Sequence, residues 1–127
     1  MGKKKILIID DEENFTALVK MKLEKTNMYE VIVENESARG VAAVKRFQPD
    51  LILLDLLMAG MEGSEVASRI RTDATIKNIP IVFLTASITK EKSSSGDEKD
   101  IGGHTFMAKP VSAGELINCI ESNLKRQ

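Results

Sequence analysis

The 127-residue chain has a single cysteine, no tryptophan and only 4% aromatic residues. Cys119 has no partner for an internal disulfide, which fits a reducing compartment, and its helical setting indicates a small buried group rather than a reactive thiol. With so few aromatic rings, the core must consist mainly of Ile, Leu, Val, Ala and Met. Hydrophobic residues make up 43% and charged residues 29%, which is typical of one soluble globular domain.

Neither sign of charge dominates, because 18 Lys and Arg face 19 Asp and Glu, for a formal net charge of −1. So weak a field argues against direct binding to nucleic acid. The longest apolar runs, such as residues 51–54, are too short to cross a membrane. The apolar stretch after the basic N-terminal segment MGKKK stops at Asp10, which is too early for a secretion signal. We therefore expect a cytoplasmic protein.

Short apolar runs alternate with helical patterns along the chain. Runs without polar alternation predict strands buried on both faces, at residues 5–9, 30–33, 51–54 and 81–84, with a weaker fifth at 105–108. Helical spacing of apolar residues predicts helices at residues 15–23, 37–47 and 64–72. Ser112 and Glu115 form a capping box ahead of a last helix. This alternation predicts a doubly wound α/β fold with a parallel sheet.

Residues 89–103, with the sequence TKEKSSSGDEKDIGG, depart from this pattern. The segment should hold the fourth helix, but Ile101 is its only large apolar residue. Such a segment has little to anchor it to a sheet. Two alternatives stay open, a short and loosely docked helix or a mobile loop.

Polar side chains end successive predicted strands: Asp10 and Asp11 follow the first, Asp55 ends the third, Thr85 ends the fourth and Lys109 follows the fifth. The carboxyl ends of parallel strands share one edge of the sheet, where doubly wound folds bind ligands. Three carboxylates there repel one another unless positive charge lies among them. Lys109 supplies part of that charge, and a divalent cation such as Mg²⁺ can supply the rest.

A hydroxyl, an ammonium and a metal ion together stabilise a phosphoryl group in transfer, and an Asp carboxylate can accept one. We assign Asp55 as the acceptor because it ends a buried strand, and Asp10 and Asp11 to the metal because they begin a loop. Each feature has an ordinary alternative: a helix cap with first-turn acids, a strand-end hydroxyl at Thr85 and a solvated cation at Lys109. The hypothesis depends on their meeting at one edge.

The sequence resembles the receiver domains of two-component response regulators, of the chemotaxis-regulator type, over essentially its whole length. The matching motifs are IIDDEE, LILLDLLMAGMEG, FLTAS and FMAKP. The resemblance implies a flavodoxin-like (βα)5 fold with five parallel strands in the order 2-1-3-4-5. It also implies a single receiver domain over residues 1–127, with a core from about residue 4 to residue 125. Since the chain stops at Gln127, just after the last predicted helix, we expect no output domain in it.

The resemblance also implies a chemistry for the strand-end residues. Asp55 would take a phosphoryl group from a phosphohistidine of a sensor histidine kinase or phosphotransfer protein. Mg²⁺, for which Mn²⁺ can substitute, would be held by Asp10, Asp11, Asp55 and the backbone carbonyl of Leu57. The protein would then be a signalling phosphoacceptor that assists its own phosphorylation and dephosphorylation, and not a turnover enzyme.

The switch implied by the family involves Thr85, Lys109 and Phe106. Thr85 and Lys109 would contact the phosphoryl oxygens, drawing in the loop after the fourth strand and giving Phe106 room to turn inward. The surface of the fourth helix, fifth strand and fifth helix would then change and control a downstream protein. A static core position is the alternative for Phe106. A homodimer is compatible with the family.

Three positions and one segment depart from the family pattern or tune it. Ala59 stands where receivers usually carry Pro, so we expect a more flexible loop. Leu57 and Ser87 occupy positions that tune the access of water to the acyl phosphate. The hydrophilic residues 93–96 lie where the output surface should be.

Other functions fit the sequence less well. A flavin carrier needs a phosphate-binding loop after the first strand, where the acidic residues 10–13 would repel phosphate. A phosphatase of the haloacid dehalogenase type needs a second Asp where this chain has Leu57. His104 is the only histidine, which argues against a zinc site or an internal phosphohistidine relay. The main alternative is a pseudo-receiver that acts, unphosphorylated, as a protein-interaction module.

Overall fold

The computed structural model describes residues 2–85, 99–101, 104–109 and 112–125. The strands in this part of the chain are β1 (Lys4–Ile9), β2 (Tyr29–Glu34), β3 (Leu51–Asp55), β4 (Ile81–Thr85), β5 (Lys99–Ile101) and β6 (His104–Ala108). The helices are α1 (Glu13–Glu24), α2 (Gly40–Phe47), α3 (Gly63–Arg71) and α4 (Ala113–Lys125), and a 3-10 turn (Ser37–Arg39) precedes α2.

The strands form one sheet in the order β2-β1-β3-β4-β6-β5. The first five of these are parallel neighbours, which confirms the predicted five-stranded sheet, with β6 as its fifth strand. The short β5 adds an antiparallel edge strand, pairing Asp100 with Thr105. Parallel neighbours require crossover connections, and these carry the chain from the end of one strand back to the start of the next. All five parallel strands therefore end at the same edge.

The predictions for residues 89–103 did not include a strand. Residues 99–101 form β5, because the two residues that separate it from β6 in the sequence suffice for an antiparallel pair but not for a crossover. Both alternatives, a docked helix and a mobile loop, were wrong for these three residues. The remainder of the predicted fourth helix, Ser87 and residues 93–96 all lie outside the described residues.

Successive residues of the central strands point into two cores on opposite faces of the sheet. Ile6 and Ile8 pack with residues of α1 and α4, whereas Leu7 and Ile9 pack with residues of α2 and α3. Every residue of β3 and β4 is buried, as expected of strands covered on both faces. Cys119 is buried within the α4 face.

The predicted capping box at the last helix is present. The Glu115 amide donates to Ser112 Oγ at 3.1 Å, and the Ser112 amide donates to Glu115 Oε1 at 3.2 Å. The second helix begins later than predicted, because Ser37 starts a 3-10 turn and the α-helix starts at Gly40. The crossover connections of the parallel sheet bring the β2–α2 and β3–α3 loops to the edge where β1 and β3 end.

Candidate functional site

The structure brings three of the strand-end carboxylates together. β1 and β3 are neighbours with Ile9 opposite Leu54, so the next residues, Asp10 and Asp55, lie side by side. Asp10 is completely buried and Asp55 is 4% exposed. One carboxylate oxygen from each of Asp10, Asp11 and Asp55 lies within 4.8 Å of the other two. The cluster thus concentrates negative charge at the carboxyl edge of the sheet.

Lys109 reaches into this cluster from the end of β6. Its Nζ lies 2.8 Å from Asp10 Oδ2 and 3.6 Å from Asp55 Oδ2, and only 9% of its side chain is exposed. Nζ also contacts Glu12 Oε1 and lies 4.5 Å from the centre of the Phe15 ring, a cation–π distance. Lys109 is therefore a nearly buried counter-ion and not a solvated cation.

Sequence reasoning did not pair Glu12 and Phe15 with Lys109. Both residues lie at the start of α1, and in the sequence Glu12 indicates a favourable charge at the helix N-terminus or repulsion of a phosphate, not a partner for Lys109. Nothing in the sequence marks a contact between residues separated by 97 positions. The apolar spacing of α1 indicated that Phe15 faces inward, which is the only signal that the chain offered.

Burial and neighbouring charges set the protonation of the two central groups. Burial first, and then the charge of Asp10, raise the pKa of Asp55 to about 6, against the opposing effect of Lys109. For Lys109, burial acts to lower the pKa, but the close interactions of Nζ with the Asp10 and Glu12 carboxylates outweigh it and leave the pKa raised. The ammonium stays charged at neutral pH, and the carboxylates still outnumber it.

The donor set suits a hard divalent cation. Carboxylate oxygens and a backbone carbonyl are the ligands that Mg²⁺ takes in proteins, with water completing its octahedron. Asp10 Oδ2 is buried and, although Lys109 pairs with its charge, it accepts no hydrogen bond of good geometry from any residue that the structure describes. Such an oxygen is available to a cation, and a cation would relieve the repulsion among the carboxylates.

The β3–α3 loop closes one side of the cluster. Leu57 is 60% exposed, and its amide lies 3.4 Å from Asp55 Oδ1, a long hydrogen bond. The Ala59 amide donates to Asp11 Oδ2 at 2.9 Å. Proline has no amide hydrogen, so only a residue such as Ala59 can tether the loop to Asp11 in this way. The expectation of a more flexible loop did not include this hydrogen bond.

Gly63 allows α3 to begin directly against the backbone of the central carboxylate. Its amide donates to the Leu56 carbonyl at 2.9 Å. A Cβ at this position would lie only 2.1 Å from the Asp55 carbonyl oxygen and 2.8 Å from Leu56 Cα. Any larger residue must displace the backbone that carries Asp55. Sequence reasoning missed this role, although Gly63 lies in the quoted motif LILLDLLMAGMEG.

Thr85 and Phe106 lie beyond the carboxylates on β4 and β6. Thr85 is completely buried, and its carbonyl accepts a hydrogen bond from the Lys109 amide at 3.0 Å. The half-buried Phe106 ring stacks on Phe83, with centroids 5.1 Å apart and planes inclined by 21°. These two rings, with Leu56 and residues of α3, line a cavity of about 340 Å³. There is open space beside Phe106 into which the ring could move.

The fold is a doubly wound α/β domain with an acidic cluster at the carboxyl edge of its sheet, and comparison with known proteins identifies its family. Residues 6–121 match the family model of the response regulator receiver domain. The chain therefore belongs to the receiver-domain family of two-component response regulators. Within the described part of the chain, no helix combines the length and apolar character needed to span a bilayer.

Relatives in sequence agree with this family, and a solved structure shares the fold. The nisin biosynthesis regulatory protein NisR of Lactococcus lactis is 37% identical over 123 residues, which are 97% of this chain and 51% of that protein. The phosphate regulon regulator PhoB of Pseudomonas aeruginosa is 33% identical, with 97% and 52% covered. The chain thus spans about half the length of these relatives. Chemotaxis protein CheY4 of Vibrio cholerae shares the fold with a TM-score of 0.80 at 22% identity, covering 96% of this chain and 99% of that chain.

Proposed function

We propose that this domain is a signalling switch that accepts a phosphoryl group on Asp55. The observation that carries the proposal is the buried Asp55 carboxylate, which lies within 4.8 Å of Asp10 and Asp11 oxygens and 3.6 Å from the Lys109 ammonium. An ion pair with only a structural role would not need three acids gathered beside one cation. A nucleophile that must hold a dianionic group needs both a metal-binding cluster and a fixed positive charge.

The donor in this proposal is a phosphohistidine on a sensor histidine kinase or a phosphotransfer protein. An Asp55 carboxylate oxygen attacks phosphorus, the P–N bond breaks, and its electron pair stays on the imidazole nitrogen, which takes up a proton. An acyl phosphate forms on Asp55. Attack by water later returns the carboxylate and inorganic phosphate. The chain thus assists its own phosphorylation and dephosphorylation as a signalling phosphoacceptor.

Mg²⁺, or Mn²⁺ in its place, would be held by carboxylate oxygens of Asp10, Asp11 and Asp55 and by the Leu57 carbonyl. When bound, the ion neutralises the carboxylates and the incoming phosphoryl oxygens. Because the pKa of Asp55 without metal is about 6, the nucleophile is mainly ionised at pH 7 and above, and positive charge nearby increases that fraction. Lys109 would shift toward the new phosphoryl oxygens.

The signal to a downstream protein would follow from movements of the Thr85 and Phe106 side chains. A phosphoryl group on Asp55 attracts the Thr85 hydroxyl, and the Phe106 ring moves into the adjoining cavity in response. The changed surface would include β6 and α4 with the predicted fourth helix, and a downstream protein that prefers one state would read the signal. We further propose a cytoplasmic location and no direct nucleic-acid contact by this domain. Homodimerisation is one way in which the surface could be used.

The test is a phosphorylation assay followed by intact-protein mass spectrometry. Incubation with acetyl phosphate and Mg²⁺ should add one phosphoryl group to the wild-type protein. Asp55→Asn should prevent the addition, and chelation of the metal should suppress it. Asp50→Asn is the matched control, because Asp50 accepts a hydrogen bond from the Lys5 amide and lies outside the carboxylate cluster. An unchanged wild-type mass would contradict the proposal and favour the pseudo-receiver.

A further inference from the structure

Ser37 joins two loops that meet beside the carboxylate cluster. It is 4% exposed and begins the 3-10 turn after β2. Its hydroxyl donates to the Ala59 carbonyl at 3.0 Å and accepts a hydrogen bond from the Met61 amide at 2.9 Å. Both partners belong to the β3–α3 loop. Both hydrogen bonds of this buried hydroxyl, one donated and one accepted, therefore go to the same three-residue stretch of the loop, residues 59–61.

The backbone that Ser37 holds contacts a proposed metal ligand directly. Ala59 offers its carbonyl to Ser37 and donates its amide hydrogen to Asp11 Oδ2. Between Ala59 and Met61, Gly60 has a φ of +87°, and a Cβ there would lie 3.3 Å from Ser37 Oγ. The hydroxyl thus fits closely against a turn that favours glycine. Holding this turn also holds the direction in which the Ala59 amide meets Asp11.

We propose that Ser37 is a positioning residue for the metal site, acting through the loop on the orientation of Asp11. The inference rests on the proposed function, because it gives Ser37 this role only if the cluster binds Mg²⁺. Residues that orient metal ligands without touching the metal change affinity by about 10- to 100-fold when removed. Ser37 contacts none of the three carboxylates in the hydrogen bonds described, so its effect must pass through Ala59.

The test measures Mg²⁺ binding by titration calorimetry, without any phosphodonor. Ser37→Ala removes both hydrogen bonds and should weaken binding by roughly tenfold, and Ser37→Thr, which keeps the hydroxyl, should recover most of it. Thr26→Val is the matched control. Thr26 Oγ1 likewise donates to a carbonyl, that of Leu23 at 2.7 Å, and accepts from an amide, that of Met28 at 3.1 Å. Thr26 lies just after the end of α1, and the cluster lies at the start of that helix. Loss of the Thr26 hydroxyl should therefore leave the Mg²⁺ affinity unchanged.

Amide exchange gives a second measurement that does not depend on metal. Exchange at Ala59 should become faster in Ser37→Ala and stay unchanged in Thr26→Val. Equal Mg²⁺ affinity in the wild type and Ser37→Ala would overturn the positioning role and leave the proposed function standing. Equal weakening in both variants would also overturn it, since general instability would then be the cause. No Mg²⁺ binding by the wild type would instead contradict the proposed function.

Discussion

The Lys109 ammonium lies 2.8 Å from Asp10 Oδ2. This pair is almost removed from solvent, because Asp10 is completely buried and the Lys109 side chain is 9% exposed. In this arrangement the lysine is held by Asp10 together with Glu12, and the proposed acceptor Asp55 is its more distant neighbour at 3.6 Å. A phosphoryl group on Asp55, as proposed, would compete with Asp10 for the same ammonium.

Removing this lysine should destabilise the metal-free protein. Lys109→Met leaves the Asp10 carboxylate buried beside two other acids, and breaking a buried pair in this way costs about 3–5 kcal/mol. Urea denaturation with and without Mg²⁺ would measure the change, and the metal should restore part of the lost free energy of unfolding. Arg69→Gln is the control, because the Arg69–Glu65 pair is more than half exposed on both sides and contributes at most about 0.5 kcal/mol.

Asp55→Asn should stabilise the metal-free protein at pH 8 but not near pH 4. The folded-state pKa of Asp55, about 6, exceeds its ordinary value of 3.8. Protonation therefore favours the folded state, and this contribution, present below pH 3.8, is lost as the pH rises through 6. Asparagine avoids that loss, so its advantage should grow across this window to roughly 1–3 kcal/mol. Denaturation at several pH values would reveal it.

The same comparison under saturating Mg²⁺ provides the control. The wild-type carboxylate should then be stabilised by the ion, and the advantage of Asp55→Asn should vanish or reverse. An advantage that is constant with pH would contradict the raised pKa of Asp55.

Gly63→Ala should damage the site through the backbone. The added methyl group would meet the Asp55 carbonyl at 2.1 Å, and crowding of this kind typically costs about 1–3 kcal/mol. Thermal denaturation would show the loss, and the rate of phosphorylation by acetyl phosphate should fall with it. Gly114→Ala is a direct control in another helix, because its Cβ would meet nothing within 4 Å. That change should be neutral or stabilising by about 0.5–1 kcal/mol.

Tyr29 should resist ionisation. It is the only tyrosine and the chain has no tryptophan, so phenolate absorbance reports on it alone. Burial first, and then the hydrogen bond that its hydroxyl donates to Glu121 Oε2 at 2.6 Å, raise its pKa well above the ordinary value of 10.0. A pH titration of the folded protein should show no phenolate near pH 10, whereas urea-unfolded protein should titrate there. In Glu121→Gln the folded-state pKa should fall toward the ordinary value, and titration of the wild type near pH 10 would contradict this account.

Most of the fold could be predicted because its signals are local. Uninterrupted apolar runs mark strands that are covered on both faces, and the capping box of Ser112 and Glu115 lies within four residues. The edge strand Lys99–Ile101 could not be predicted in this way. Its place depends on pairing with β6, and its sequence has no apolar run to mark it.

The sequence by itself determined which residues stand at the strand ends, since Asp10, Asp55, Thr85 and Lys109 follow directly from where the apolar runs stop. Tertiary structure alone decided what surrounds them. Glu12 meets Lys109 across 97 positions, and Ser37 meets Ala59 across 22. Such contacts arise because a parallel sheet collects the ends of separate strands at one edge, and the loops that then lie side by side have no relation in the sequence.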